Sequence, residues 1–150
     1  MLTSRKRICR TGVLQMKLST RSRYGTRMMY DLARHYDKGP IQMGDIARRQ
    51  EVSVKYLEQL VIPLKKANLI ESVRGPKGGH MLAIHPKKIT VGKIVDILEG
   101  GLELTECINH PETCDRAENC PTRGLWQEAT KAMYDKLNSV TLFEMVEKEK

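Results

Sequence analysis

Ser53-Val-Lys-Tyr-Leu-Glu-Gln-Leu-Val-Ile-Pro-Leu-Lys-Lys66, followed by Leu69-Ile-Glu-Ser-Val73, Arg74-Gly-Pro-Lys-Gly-Gly79 and His80-Met-Leu-Ala-Ile84, is the run on which the fold turns. Val54, Leu57, Leu60, Val61 and Leu64 recur at helical spacing, and Ser53 is placed to accept a hydrogen bond from a free N–H of the first turn. Two short strand-like segments around a Gly-rich turn predict a β-hairpin. Pro63 stands deep in the helix, where it removes one backbone N–H and crowds the carbonyl four residues back. A kink or early end is therefore expected near 59–62.

Upstream, Ile46 and Ala47 mark a short helix over 43–50, with Val52 in the turn before Ser53. Two helices joined by so short a turn form a helix-turn-helix. A longer helix over 22–36 precedes it, carrying Tyr24, Met28, Met29, Leu32, Ala33 and Tyr36 on one stripe, and Lys38-Gly39-Pro40 is its stop signal. A basic hairpin directly after a helix-turn-helix reads as a wing. The glycines at 75, 78 and 79 let the turn approach a phosphate backbone, and Arg74 and Lys77 supply charge. The turn fits neither Gly-rich nucleotide signature, and no helix follows it.

Downstream, Thr90 can cap a helix over 91–98 that Gly100-Gly101 stops. A polar loop covers 102–120, and a long helix runs from about 122 to 138 with Leu125, Trp126, Ala129, Met133 and Leu137 in one stripe. Thr141 and Glu144 suit a capping box for a last short helix. So small a domain has little core left to cover that stripe, which points to a homodimer built helix against helix; packing on the helix at 22–36 is the alternative. The expected architecture is mainly α with a small β-hairpin wing. A winged helix-turn-helix spans 16–100, a cysteine loop 101–121, and a dimerisation helix with a short terminal helix 122–150. Residues 1–15 read as a disordered basic extension or as an upstream start, with Met16 beginning the folded chain.

Charge agrees with this division. The chain of 150 residues carries a net +8, but residues 1–90 hold +13 and residues 91–150 hold −5. Only the first part suits a polyanion such as double-stranded DNA, and a dimer suits two half-sites one helical turn apart, a pseudo-palindromic operator. No apolar run reaches the ~20 residues of a membrane span, and the N-terminus lacks the apolar stretch of a secretory signal. A cytoplasmic protein is expected, whose cysteines are thiols or metal ligands and not disulfides.

Three of the four cysteines fall in the loop, as Cys107-x6-Cys114-x5-Cys120, while Cys9 has no neighbouring ligand and reads as a spectator. Thiolates are soft ligands for iron–sulfur clusters, zinc and copper(I), and these gaps are wider than structural zinc normally uses. A metal-free thiol switch and inert thiols are the competing readings. Cys120 also precedes the N-terminus of the long helix, where the dipole favours a thiolate.

Taken together, the stretches Met16-Lys-Leu-Ser-Thr-Arg-Ser-Arg-Tyr24, Ser53-Val-Lys-Tyr-Leu-Glu-Gln-Leu60, Val73-Arg-Gly-Pro-Lys-Gly-Gly79, the three-cysteine loop and Leu125-Trp126 resemble the IscR/NsrR family of bacterial winged-helix regulators. The resemblance covers about 16–146 and implies a homodimeric transcription repressor or activator. By motif position it puts Lys55, Glu58 and Gln59 against base edges, Arg74 in a minor groove, and Ser53 and Tyr56 on phosphates. It also puts an iron–sulfur cluster, 2Fe–2S or 4Fe–4S, on Cys107, Cys114 and Cys120, reporting iron–sulfur, iron, redox or nitric oxide status. A regulator of the same fold without a cluster, sensing thiol oxidation, zinc or a small metabolite, is the alternative. Two departures stand out besides Pro63. The histidine that some members place three residues after the last cysteine is Arg123 here. The acidic residue that others use near the start of the first helix matches Arg23. The fourth ligand is left open: His110 is a candidate, with Glu112 and Asp115 also in the loop, and a water, a small thiol or incomplete coordination are equal alternatives. No C-x-x-C, H-E-x-x-H or nucleophile-elbow motif is present, so no enzyme is expected.

Overall fold

The computed structural model describes residues 18–149; the basic segment 1–15, the start at Met16 and Cys9 lie outside the described residues. Helix α1 (Thr20–Arg34) begins at Ser19, whose hydroxyl accepts from the Ser22 N–H at 3.4 Å. It stops two residues before the expected Tyr36. His35 already leaves helical geometry, and Asp37 and Gly39 take positive φ to turn the chain. Helix α2 (Met43–Gln50) and helix α3 (Val54–Lys66) follow, with Glu51 in left-handed geometry between them.

The early end predicted at Pro63 does not occur, and α3 continues to Lys66. Leu57, Leu60, Val61 and Leu64 are buried on both sides of the proline, so packing holds the last turn in helical form. Gln59, whose carbonyl loses its partner, lies on the exposed face, where water can satisfy it. Tertiary burial outweighs a local defect of about 3 kcal/mol.

Strands β1 (Ile70–Val73) and β2 (Gly79–Leu82) pair antiparallel, Ile70 opposite Leu82 and Val73 opposite Gly79. Both are slightly shorter than their apolar runs. Residues 83–85 leave the sheet to lead into a 3-10 turn at Pro86–Lys88. A bridge from Ile41 to His80 fastens the hairpin to the segment before α2. Helix α4 (Val91–Glu99) is capped by Thr90, which accepts from Lys93 N–H at 3.1 Å, and is closed by Gly100 at φ +75°, a conformation that favours glycine.

The core lies where α1, α3 and α4 meet. Met28, Met29, Leu57, Leu60, Leu64 and Ile94 are fully buried there. Gly25 brings α1 so close to α4 that a Cβ would collide with the Leu98 side chain. Helix α5 (Arg123–Asn138) rests mainly on α4, not on α1 as the alternative had it, and Thr130 is its one buried residue. Helix α6 (Leu142–Glu147) starts with the expected capping box and returns to α1. Leu142 N–H donates to Ile89 O at 2.9 Å, and its side chain is sealed in the core.

Candidate functional site

The outer face of α3 exposes the polar residues expected to meet DNA, with the apolar Ile62 among them. Ser53 caps the helix by accepting from Tyr56 N–H at 3.2 Å, and Lys55, Glu58 and Gln59 are exposed. Tyr56 is half-buried, its ring edge-on to Tyr24 at 6.1 Å, with the guanidiniums of Arg23 and Arg27 over the Tyr24 ring at 5.8 and 5.4 Å. The N-terminal half of α3 is thus flanked by cations from α1.

Beside it, Arg74, Gly75 and Lys77 are all exposed in the hairpin turn. Gly75 sits at φ +114°, accessible only to glycine without strain, and its carbonyl accepts from Gly78 N–H at 2.9 Å to close the turn. Gln42, at the start of α2, donates to Pro76 O at 3.4 Å. Lys65 Nζ reaches Ser72 Oγ at 3.0 Å, and His80 Nδ1 lies 3.2 Å from the same hydroxyl. Burial, aided by the Lys65 charge and opposed by Glu58, pushes the His80 imidazole below its ordinary pKa. The hairpin is therefore laced to both helices of the helix-turn-helix.

An ion pair between buried Asp31 and part-exposed Arg49 fixes α2 on α1. Asp31, 3% exposed, accepts from Arg49 Nε at 2.9 Å and Nη2 at 2.6 Å and from Gln50 Nε2 at 2.9 Å. Arg27 extends the network to the Gln50 side chain and carbonyl. Burial alone would raise the Asp31 carboxyl, but the hydrogen bonds from Arg49 and Gln50 and the Arg49 charge outweigh it and hold its pKa low. A second tie joins the start of α1 to the end of α4, where Glu99 Oε1 accepts from the hydroxyls of Ser19 and Ser22, each at 2.5 Å.

The cysteine loop is a series of short 3-10 turns. Cys107 lies within the turn Glu106–Ile108, Cys114 directly follows Pro111–Thr113, and Cys120 directly follows Ala117–Asn119. All three are half-buried free thiols. The Cys107 and Cys120 sulfurs each stand 3.3 Å from a threonine hydroxyl, of Thr105 and Thr122. Hydrogen bonds from Thr122, through its hydroxyl and its N–H, lower the Cys120 pKa, with smaller help from the Arg123 N–H and the Arg116 charge. Arg123 itself donates through Nε to Cys107 O at 3.0 Å and through Nη2 to Ile108 O at 3.2 Å. Tyr134, farther along α5, accepts from Leu102 N–H at 2.5 Å and donates to Asp96 at 3.2 Å. Both halves of α5 therefore hold the loop.

The donor set is soft and partly accessible, which suits an iron–sulfur cluster chemically. Its present geometry does not: among the described residues no three His, Cys, Asp or Glu side chains converge to hold a metal ion. His110, the candidate fourth ligand, is exposed and pairs with Glu112 at 3.1 Å.

A family model, Rrf2, described as an iron-dependent transcriptional regulator, matches residues 18–148. The chain belongs to the Rrf2 family of transcription regulators. Protein rrf2 of Nitratidesulfovibrio vulgaris is 48% identical to it over 131 residues, 87% of each chain. The HTH-type transcriptional regulator IscR of Pectobacterium atrosepticum is 37% identical, over 87% of this chain and 79% of its own. Among solved structures, T. potens IscR superposes with a TM-score of 0.75 at 37% identity, covering 93% of this chain and 92% of that one. CymR, the global cysteine regulator of B. subtilis, superposes at 0.74 with the same identity, covering 89% and 98%. These relatives are regulators and not enzymes, and their winged-helix fold and DNA-binding function are those of this Rrf2 chain.

Four structural links of this Rrf2 chain escape sequence reasoning. Asp31 sits among apolar residues of the α1 stripe with no local sign of its partner eighteen residues away. Glu99 and Tyr134 likewise find partners only through the fold. Arg123 stands out in the sequence only as the residue where a histidine was sought.

Proposed function

We propose that this Rrf2 regulator is a cytoplasmic homodimer that reads a pseudo-palindromic double-stranded operator and senses through its three-cysteine loop, which takes up an iron–sulfur cluster on Cys107, Cys114 and Cys120. The observation that carries the reading is the ladder of three half-buried thiols at successive turns, with the backbone carbonyl of Cys107 accepting from Arg123, the first residue of α5. Helix α5 also carries the exposed pair Leu125 and Trp126, 57% and 38% accessible, which the partner would cover. When bound, a cluster supplies a redox- and ligand-sensitive iron centre. The chain supplies thiolates, a lowered Cys120 pKa, and a cation at Arg123 that fastens the loop to the dimer helix.

On DNA, Lys55, Glu58 and Gln59 take base edges of the major groove, Ser53 and Tyr56 take phosphates, Arg74 enters the minor groove, and Lys77 with the Gly75 turn follows the backbone. A change in the loop shifts α5, and with it the spacing of two α3 helices about 34 Å apart.

A second reading has one observation in its favour. The donors do not converge as they stand, and oxidation of a single thiol, unlike cluster assembly, needs no rearrangement of the loop. Anaerobic purification with an iron count and a visible spectrum separates the two. Coloured protein with iron at cluster stoichiometry, lost in Cys114→Ala while the dimer persists, supports the cluster. Colourless protein with iron well below that level supports thiol sensing.

A further inference from the structure

Ile62 is 68% exposed, the most accessible large apolar residue among those of α3 and the hairpin. Of the other aliphatic residues of α3, Val54 in the first turn is 40% exposed, whereas Leu57, Leu60, Val61 and Leu64 are at most 5% exposed. Ile62 stands opposite them. It lies two turns from Lys55 on the same side, four residues from Glu58 and three from Gln59, so it occupies the centre of the outward face. Helical side chains lean toward the N-terminus, which carries the Ile62 side chain back over the turn that bears Glu58 and Gln59.

Nothing in the fold rewards an isoleucine at this position. It contributes no core packing, its branched Cβ lowers helix propensity, and the proline that follows disfavours helical backbone at the residue before it. A polar side chain would serve the helix better. The major groove, in contrast, offers one apolar feature, the 5-methyl group of thymine.

We propose that Ile62 is a specificity residue that reads a thymine methyl in the major groove. This rests on the assignment of α3 as the reading helix and adds an apolar contact to its polar ones. Four helical residues advance about 6 Å along the axis. Base pairs are spaced about 3.4 Å apart, so the thymine lies one or two steps from the pair read by Glu58 or Gln59.

The test uses the full chain. Binding sites are selected from random double-stranded DNA, and each thymine of the selected site is then replaced singly by deoxyuridine, which lacks only the methyl group. One replacement is expected to weaken binding about fourfold, the worth of one buried carbon. Ile62→Ala, at a solvent-exposed position where alanine favours the helix, should lose a similar factor on the thymine site and nothing more on the deoxyuridine site. Uniform tolerance of deoxyuridine by the unmodified protein overturns the proposal, as does full methyl sensitivity retained in Ile62→Ala. Selection that yields no sequence preference would overturn the reading-helix assignment itself, a result distinguishable from either.

Discussion

The Arg123 guanidinium, in the first turn of α5, donates to the Cys107 carbonyl at 3.0 Å and so joins that helix to the first cysteine of the loop, sixteen residues earlier. The same group holds the Ile108 carbonyl at 3.2 Å. One planar cation thus gathers two carbonyls of a 3-10 turn that packs against α5. Where the sequence departs from a cluster-ligand pattern, the structure has a mechanical fastening.

Arg123→Ala should release that turn without unfolding α5, whose own backbone bonds remain. Amide exchange over residues 105–110 is expected to quicken by roughly tenfold or more, the effect of losing two charge-assisted hydrogen bonds. Exchange in α3 should not change. Equal rates in variant and parent would show that the arginine holds nothing.

Asp31 and Arg49 govern the placement of α2. Arg49→Ala leaves a buried carboxylate with Gln50 and His35 as its remaining neighbours, and should cost about 3 kcal/mol in chemical denaturation. The pH dependence follows from the depressed Asp31 pKa. The stabilisation is fully present above the unfolded-state value of about 3.9 and is lost as pH falls through the lower folded value. Parent protein should therefore lose stability more steeply below about pH 4 than Arg49→Ala, and parallel curves would remove the ion pair from the account.

What could be read in advance followed local rules. The Ser53, Thr90 and Thr141 caps are set by one side chain and the N–H groups two or three residues on, and all three are formed. The hairpin and the exposure of Lys55, Glu58 and Gln59 on α3 follow from spacing and turn residues. Pro63 misled because its penalty is local, whereas the burial of Val61 and Leu64 that overrides it depends on the helices packed around α3. The Asp31 clamp and the Arg123 fastening join residues far apart in the chain, and no periodicity encodes them. The cysteines were legible as a set, but not their separation in space, because turn geometry and not spacing decides where each sulfur points.

Leu125 and Trp126 should be the most sensitive positions for assembly. Leu125→Asp places a charge on the stripe that continues through Ala129, Met133 and Leu137, which are only half-buried in the single chain. Sedimentation is expected to show a monomer at concentrations where the parent is a dimer. Folding should be retained, because α5 buries one residue, Thr130, in its own chain. Operator affinity should fall with the dimer, since each half-site then binds alone. A variant that remains dimeric would move the interface elsewhere.

Gln59 and Lys77 offer a contrast within the proposed DNA-binding surface. Both are exposed, one on α3 and the other in the hairpin turn. An amide against a base edge carries sequence information, whereas an ammonium against a phosphate carries only charge. Gln59→Ala should therefore cost about 1–3 kcal/mol at one base pair and leave binding to unrelated DNA nearly unchanged. Lys77→Ala should weaken all sequences alike and reduce the slope of log affinity against log salt by about 1. Titrations of one selected site and one random duplex at several salt concentrations measure both effects. If Gln59→Ala weakened the two duplexes equally, the residue would be a positioning contact and base reading would have to be sought elsewhere on α3. An unchanged salt slope for Lys77→Ala would lift the hairpin turn away from the phosphate backbone.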